Sequence, residues 1–564
     1  MRWYYSLRWL ILILLGLALY GQTFGFDFIF DDFQFIVNNP CITRFDYVHY
    51  IWNSYPPTRT AGFYSFALNY FFGQLHPQGY HILNFMIHLL ATGLVWATAT
   101  LLFKLAGCAL EELPFFIAVI FLVHPCQTQA VSYISQRFES LATVFYLSSI
   151  YFYLRGRMTL ITKNKKFLFA ASLISAILGI LTKETAITIP VMILAIEFIF
   201  FKKPPLKSKK PQASQPYLLI TILGIIFALL FIKLVRTNFI STYFHFYAPS
   251  DSHDGDIITG SKYVLTQARV FLTFLRLLIL PINQNLDYDY PLSTGLLSPP
   301  LTLVGFGLIG FIISMIIKLR KQWPLIAFGL AWIVITFSIN TAPRINVIFE
   351  HKLYLISFGF FLALVCALST MIKDRKTLYG SLIILIAVLS LVTYKRNQVW
   401  KNELTLWEDV IIKSPHKARP HYNRGSIYFQ QGNFTKAIPD FNEAIQLNPN
   451  YIAAYVNLGI IYDTDGNFPQ AMSNYNKVIE IDPYLQEAYY NRGVCYSHQG
   501  NLTKALLDYS QTIAIDPHST KAYYNRAVTY FQLKEYAKAL EDAYKVKSLG
   551  GSVDPGFLEE LKKH

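Results

Sequence analysis

Apolar stretches of the length a bilayer demands recur along the first two-thirds of this chain, and no other feature limits its fold as much. Trp9–Ala18, Leu218–Ile232 and Leu301–Ile317, with their flanks, each supply the roughly 20 apolar residues of a spanning helix. About twelve such segments satisfy the usual hydropathy window. The chain is 53% hydrophobic and only 15% charged, with mean hydropathy +0.34; a soluble domain carries about 25% charged residues. It reads as a polytopic membrane protein. Arg2 and Arg8 around the start resemble a signal peptide, but no small-residue cleavage site follows Leu10–Tyr20, so an uncleaved first helix is expected.

The net charge of +15 is explained without nucleic acid. Lys202-Lys203, Lys207–Lys210, Lys318–Lys321 and Lys373–Lys376 all lie between apolar segments, as cytoplasmic loops do. With the N-terminus inside, the basic loop Arg155–Lys166 and Lys202–Lys210 also fall inside. Tyr263–Leu280 decides the remaining parity. It contains Gln267, Arg269 and Arg276, poor lipid-facing residues, and is expected to lie in the outer interface. That gives about eleven spans, the last near Tyr379–Thr393, and a C-terminus on the extracytoplasmic side of the cell's inner membrane. The five cysteines have neither zinc nor redox spacing; Cys41 and Cys126 could pair if both loops face an oxidising compartment.

This topology gathers the polar clusters on one side. Asp31-Asp32 follow the first helix; one carboxylate could serve as a general base on an acceptor hydroxyl while the other orients it or binds a metal. Asp32, farther from the helix, is the expected base. His81, Asn84 and His88 share a helical face near His76, and hydrogen bonding between helices explains them better than a metal. Arg137, Lys183, Arg344 and Lys352 could hold a phosphate at the membrane edge, with His124, Glu139, Glu184 and His351 in support. The plainer alternative is ion pairing, Arg137 with Glu139 or Lys183 with Glu184. Asp287 and Asp289 could meet a divalent ion or a sugar hydroxyl, or simply make a turn.

After Trp400 the composition becomes soluble and helical, with a period of 34 residues. Asn423, Asn457, Asn491 and Asn525 recur at that step, as do Tyr428, Tyr462, Tyr496 and Tyr530, and Ala437, Ala471, Ala505 and Ala539. This pattern resembles the tetratricopeptide repeat. About four repeats are expected over Ala418–Gly551, preceded by a half-repeat at Leu404–Pro415 and followed by a capping helix. The domains are thus 1–394, membrane-embedded, and 395–564, an α-solenoid. The asparagines, with Tyr490 and Tyr524, could line a groove for an extended acceptor peptide.

Taken together, Phe30-Asp31-Asp32, His124-Pro125, Gln136-Arg137-Phe138-Glu139, Leu181-Thr182-Lys183-Glu184 and Glu350-His351-Lys352-Leu353-Tyr354 resemble the transmembrane and tetratricopeptide repeat-containing O-mannosyltransferases and their bacterial relatives. The resemblance covers nearly the whole chain. It implies an all-α GT-C glycosyltransferase bundle, an inverting transfer from a lipid-phosphate sugar, and a protein acceptor. Asp31-Asp32 then match the loop motif holding the catalytic base, and Arg137, Lys183 and Glu184 match residues around the donor. A polyprenyl phosphate is the bacterial donor counterpart, and a divalent cation is a candidate cofactor. The competing classes are a non-catalytic membrane scaffold with a docking domain and a lipid-linked glycan transporter. A transporter predicts charges deep within helices and internal symmetry, and the sequence has neither.

Overall fold

The computed structural model describes residues 2–201, 260–341 and 347–564; the expected span Leu218–Leu234 and the candidate Arg344 lie outside them. Among the described residues the chain is helical, with one isolated bridge between Gly295 and Ser298. The all-α expectation holds.

Two compact units divide the chain, the first running to Lys413 and the second beginning at Ser414. The boundary therefore falls later than 394/395. Helix Arg375–Asn397 runs through that point, and helix Glu403–Lys413, expected as a half-repeat, buries Leu406 against Phe26, Ile29, Tyr133 and Trp400 of the first unit.

Six helices among the described residues are long and apolar enough to cross a membrane: Ser6–Gly25, Pro77–Leu105, Leu301–Leu319, Pro324–Thr341, Glu350–Met371 and Arg375–Trp400. A seventh arises if Leu113–Val123 and Pro125–Ser132, bent by 56°, form one broken span. The chain is a multi-pass membrane protein. The bend sits at His124-Pro125, where proline removes a backbone donor and disfavours helix in the residue before it. The expected spans at 140–154, 167–181 and 186–201 are also helices, but two carry charged ends and Ile189–Phe200 has only 12 residues. Gly260–Ile279 is not among the six and carries Lys262, Arg269 and Arg276. It buries Tyr263, Gln267, Phe271, Phe274 and Leu278 on one face, and its Arg269 and Arg276 reach the carbonyls of Pro291 (2.8 Å) and Ile282 (3.1 Å).

Polar links tie the interior of this bundle. His88 meets the Tyr354 hydroxyl at 2.6 Å through Nδ1 and the Leu122 carbonyl at 3.2 Å through Nε2. Asn84 donates to the carbonyls of Val131 and Ile134. Interhelical hydrogen bonding thus accounts for Asn84 and His88, while His81 packs edge-on against Phe26. No group of three or more His, Cys, Asp or Glu side chains gathers as metal ligands among the described residues. Cys41 and Cys126 are free and buried in separate apolar clusters, so the conjectured disulfide is not formed. Helices Pro324–Ser338 and Leu353–Met371 approach through glycines: a Cβ on Gly359 would lie 2.5 Å from the Trp332 Cβ, and one on Gly329 would lie 2.5 Å from the Gly359 carbonyl oxygen. Small residues at such crossings let the backbones pack closely.

The second unit stacks four helix pairs, from Ala418–Gln430 with Phe434–Leu447 to Thr520–Gln532 with Tyr536–Ser548. Pro555–Lys563 closes the array by burying Leu558 and Leu561, as the cap expectation required. Three pairs carry a bidentate ion pair between their helices: Arg424–Asp440, Arg492–Asp508 and Arg526–Asp542. At the same step the remaining pair has Leu458 and Asn474.

A second covarying set fixes how closely the paired helices approach. Gly425, Gly459 and Gly493 face Phe441, Tyr475 and Tyr509, and a Cβ on Gly459 would sit 2.4 Å from the Tyr475 Cε1. In the fourth pair both positions are alanine, Ala527 and Ala543. Gly459→Ala is expected to cost about 1–3 kcal/mol through overpacking. In the Gly459→Ala/Tyr475→Ala chain the losses should fall short of the sum of the single variants, as contacting sites do. Urea unfolding measures both; strict additivity would show that the contact does not set the spacing.

Candidate functional site

The acidic turn is built on a backbone conformation that L-residues avoid. Phe30 has φ +46, rare for a bulky side chain. Its N–H donates to Glu403 Oε1 at 2.9 Å, and its ring meets Trp407 edge-on at 5.0 Å. The N–H of Asp31 donates to the Tyr133 hydroxyl at 3.0 Å, and the Tyr133 ring stacks on Trp400 at 5.6 Å. Burial, then the nearby Asp31, holds the Tyr133 hydroxyl well above the usual phenol range, so it stays neutral.

The two carboxylates differ sharply. Asp32 is fully buried, and its oxygens accept from the N–H groups of Ile29 (3.1 Å) and Ser135 (2.7 Å). Burial pushes its carboxyl up to about 8, against the pull of those donors. Asp32 therefore braces the turn against the segment leading to Arg137. Against the expectation that Asp32 is the base, it has no open face for an acceptor hydroxyl, whereas Asp31 is partly exposed.

Arg137 opens helix Arg137–Met158 and is also fully buried. Its guanidinium donates to Asn84 Oδ1 (2.6 Å), the Ser65 carbonyl (3.2 Å), Asn69 Oδ1 (2.9 Å) and the Tyr80 carbonyl (3.1 Å), and lies over the Phe66 ring at 4.5 Å. Four of its N–H donors join helices Thr60–Gly73 and Pro77–Leu105 to the turn. The expected pairing of Arg137 with Glu139 is not formed. Glu139 instead takes Lys183 Nζ at 2.7 Å, both side chains buried. Burial lowers the pKa of the Lys183 ammonium, and Glu139 pulls against that. Glu184 is approached by Arg59 Nη2 at 3.5 Å, so the neighbouring Lys183 and Glu184 each pair elsewhere.

A third cluster forms around Glu350, whose carboxylate accepts from the Asn285 N–H (2.6 Å), Gln284 Nε2 (3.1 Å) and the Tyr288 hydroxyl. Gln284 Nε2 also reaches the Pro125 carbonyl at 3.2 Å, and the Gln284 carbonyl accepts from Lys413 Nζ at 2.7 Å. His351 and Lys352 are buried beside Phe349, with Lys352 Nζ 5.5 Å from that ring. His124 caps its own turn, Nδ1 accepting from the Cys126 N–H and Nε2 meeting the Leu278 carbonyl at 3.2 Å. Asp287 is buried in an Asn285-closed turn while Asp289 is exposed, so they share no common environment.

Loops far apart in the chain are thus joined in separate polar clusters: Asp32 with Ser135, Lys183 with Glu139, and Glu350 with Asn285. Sequence reasoning missed Tyr133, Trp400, Glu403 and Trp407. The aromatic pair Trp400 and Trp407 flanking Glu403 was the available signal; of the three, only Trp407 falls in the expected half-repeat Leu404–Pro415. In the second unit, Asn525 Nδ2 donates to the Tyr490 hydroxyl at 3.1 Å, and Asn423, Asn457 and Asn491 are half-buried at the same repeat position. Tyr524 packs toward the cap, its ring 6.2 Å from Phe557.

Comparison with known proteins matches residues 418–451 and 487–519 to one tetratricopeptide repeat family and 452–484 and 520–549 to another. Protein O-mannosyl-transferase F38B6.6 of Caenorhabditis elegans is 28% identical, covering 78% of this chain and 63% of that protein. Protein O-mannosyl-transferase TMTC1 of Homo sapiens is 25% identical over 77% of this chain and 54% of that protein. The chain thus spans between about half and two-thirds of the length of these relatives. Among solved structures, MamA aligns with 21% identity over 28% of this chain and 90% of that one, at a TM-score of 0.25.

Proposed function

We propose that this chain, homologous over most of its length to the protein O-mannosyl-transferases, moves a sugar from a polyprenyl-phosphate donor to a protein Ser or Thr hydroxyl. The observation that carries the reading is the convergence of the Asp31-Asp32 turn with the segment Ser135–Glu139, which in turn holds Lys183. Asp31 takes the proton of the acceptor hydroxyl as its oxygen attacks the anomeric carbon. The bond from that carbon to the phosphate oxygen breaks, the lipid phosphate leaves as an anion, and single displacement inverts the centre. An anionic leaving group calls for cations rather than a proton donor. Lys183, exchanging Glu139 for phosphate, is the first candidate, with Lys352 and Arg344.

In this reading the membrane is the cell's inner membrane, the site faces its extracytoplasmic side, and the repeats bind the acceptor there. Protease cleavage of the repeats in intact spheroplasts checks that side. The full chain is incubated with labelled polyprenyl-phosphate sugars and acceptor protein, with and without a chelator to read a divalent-cation requirement. Transfer by the parent and not by Asp31→Asn supports the proposal; no transfer from any donor in the panel sinks it.

A further inference from the structure

The acidic turn closes on itself through the Ile29 N–H to Asp32 and the Asp32 N–H to the Ile29 carbonyl, and it is also held from outside. It bends at Phe30, with φ +46 and no glycine to accommodate that conformation. From outside, both a hydrogen bond and a ring contact reach Phe30 from one distant segment. Glu403 Oε1 accepts from the Phe30 N–H at 2.9 Å, and Trp407 packs on the Phe30 ring. The Asp27 N–H donates to the Lys401 carbonyl at 3.3 Å, and Trp400 stacks on Tyr133, the acceptor for the Asp31 N–H. The same helix, Glu403–Lys413, is anchored at its other end: Asp409 pairs with Arg396 at 2.7 Å, and Lys413 bonds to Gln284 of the Glu350 cluster. It therefore touches both the acidic turn and the loop on which Glu350 closes.

We infer that Glu403 is a positioning residue for the Asp31 base, aiming the turn by accepting the Phe30 N–H. The inference rests on the transferase reading for what the positioning serves, but its geometry stands apart from it. A carboxylate on the first residue of a helix also complements the helix dipole, and the two roles separate chemically. Glutamine keeps the acceptor oxygen and loses the charge. Aspartate keeps the charge but is one methylene too short to reach the Phe30 N–H.

The experiment compares the full-length chain with Glu403→Gln, Glu403→Asp and Glu403→Ala. It measures kcat and the donor KM, and amide exchange of the peptide covering 28–33. Mispositioning of a reacting group by about 1 Å costs up to about 100-fold. The expected result is a kcat loss of about 10- to 100-fold in Glu403→Ala and Glu403→Asp, with the donor KM unchanged and faster exchange at Phe30 and Asp31. Glu403→Gln should retain both rate and protection. Should Glu403→Ala fail to fold, the Asp and Gln pair decides alone. Equal losses in Gln and Asp, or a parental rate in Asp, overturns the inference. If the parent chain transfers nothing, the proposed function has failed, while exchange in the same four proteins still decides whether Glu403 holds the turn.

Discussion

Asp31→Asn lowers kcat by about 10²- to 10⁴-fold, the range a positioned general base supplies, and leaves donor binding unchanged. Access separates the two carboxylates. Two adjacent carboxylates follow Phe30, and the turn there sends one inward and leaves the other partly exposed. Asp32 spends its oxygens on the N–H groups of Ile29 and Ser135. An asparagine there would present an NH₂ group to one of those donors, and a buried donor left without an acceptor costs about 1–3 kcal/mol. Asp32→Asn should therefore damage stability and donor binding together with rate, whereas Asp31→Asn damages rate alone. Thermal unfolding and donor titration on both variants separate the two. A chain whose Asp31→Asn variant turns over at the parental rate has its base elsewhere.

Lys183→Met destabilises the chain by about 3–5 kcal/mol, because removing one partner of a buried pair strands the other charge. Glu139 is the stranded group, with no exposed surface. Lys183→Met/Glu139→Leu should recover most of that loss, since replacing both charges with apolar groups of similar volume is often neutral. This double variant then reports on the donor. If Lys183 leaves Glu139 for the lipid phosphate, the refolded double variant binds donor weakly and transfers nothing. Full activity in a stable double variant would mean that the pair only fastens helix Arg137–Met158 to the Lys183 turn.

The spans and the repeats were legible because their signals are local. A run of apolar residues and a 34-residue step need no knowledge of what lies across the molecule. The partners of the polar residues were not legible. Arg137 and Glu139 are two residues apart and look like a pair, yet Arg137 bonds to Asn84 and Asn69, 53 and 68 residues away. Lys183 and Glu184 likewise separate, toward Glu139 and Arg59. Neighbours in a turn point apart, so buried charges find partners on other helices. The choice between Asp31 and Asp32 depended on a positive φ at a phenylalanine, where sequence gives no cue because glycine is the residue that announces one.

The bracket on the acidic turn also sets when the site can exist. Phe30 and Glu403 are 373 residues apart, and a ribosome adds about 5–20 residues per second. The first loop therefore emerges tens of seconds, to order of magnitude, before the segment that shapes it. Throughout that interval the early helices can insert and pack, but the turn carrying Asp31 lacks Glu403, Trp400 and Trp407. Biogenesis itself thus acts as a timer: a nascent or prematurely terminated chain holds the acidic pair without the geometry to use it, and competence arrives only when the last span has entered the bilayer.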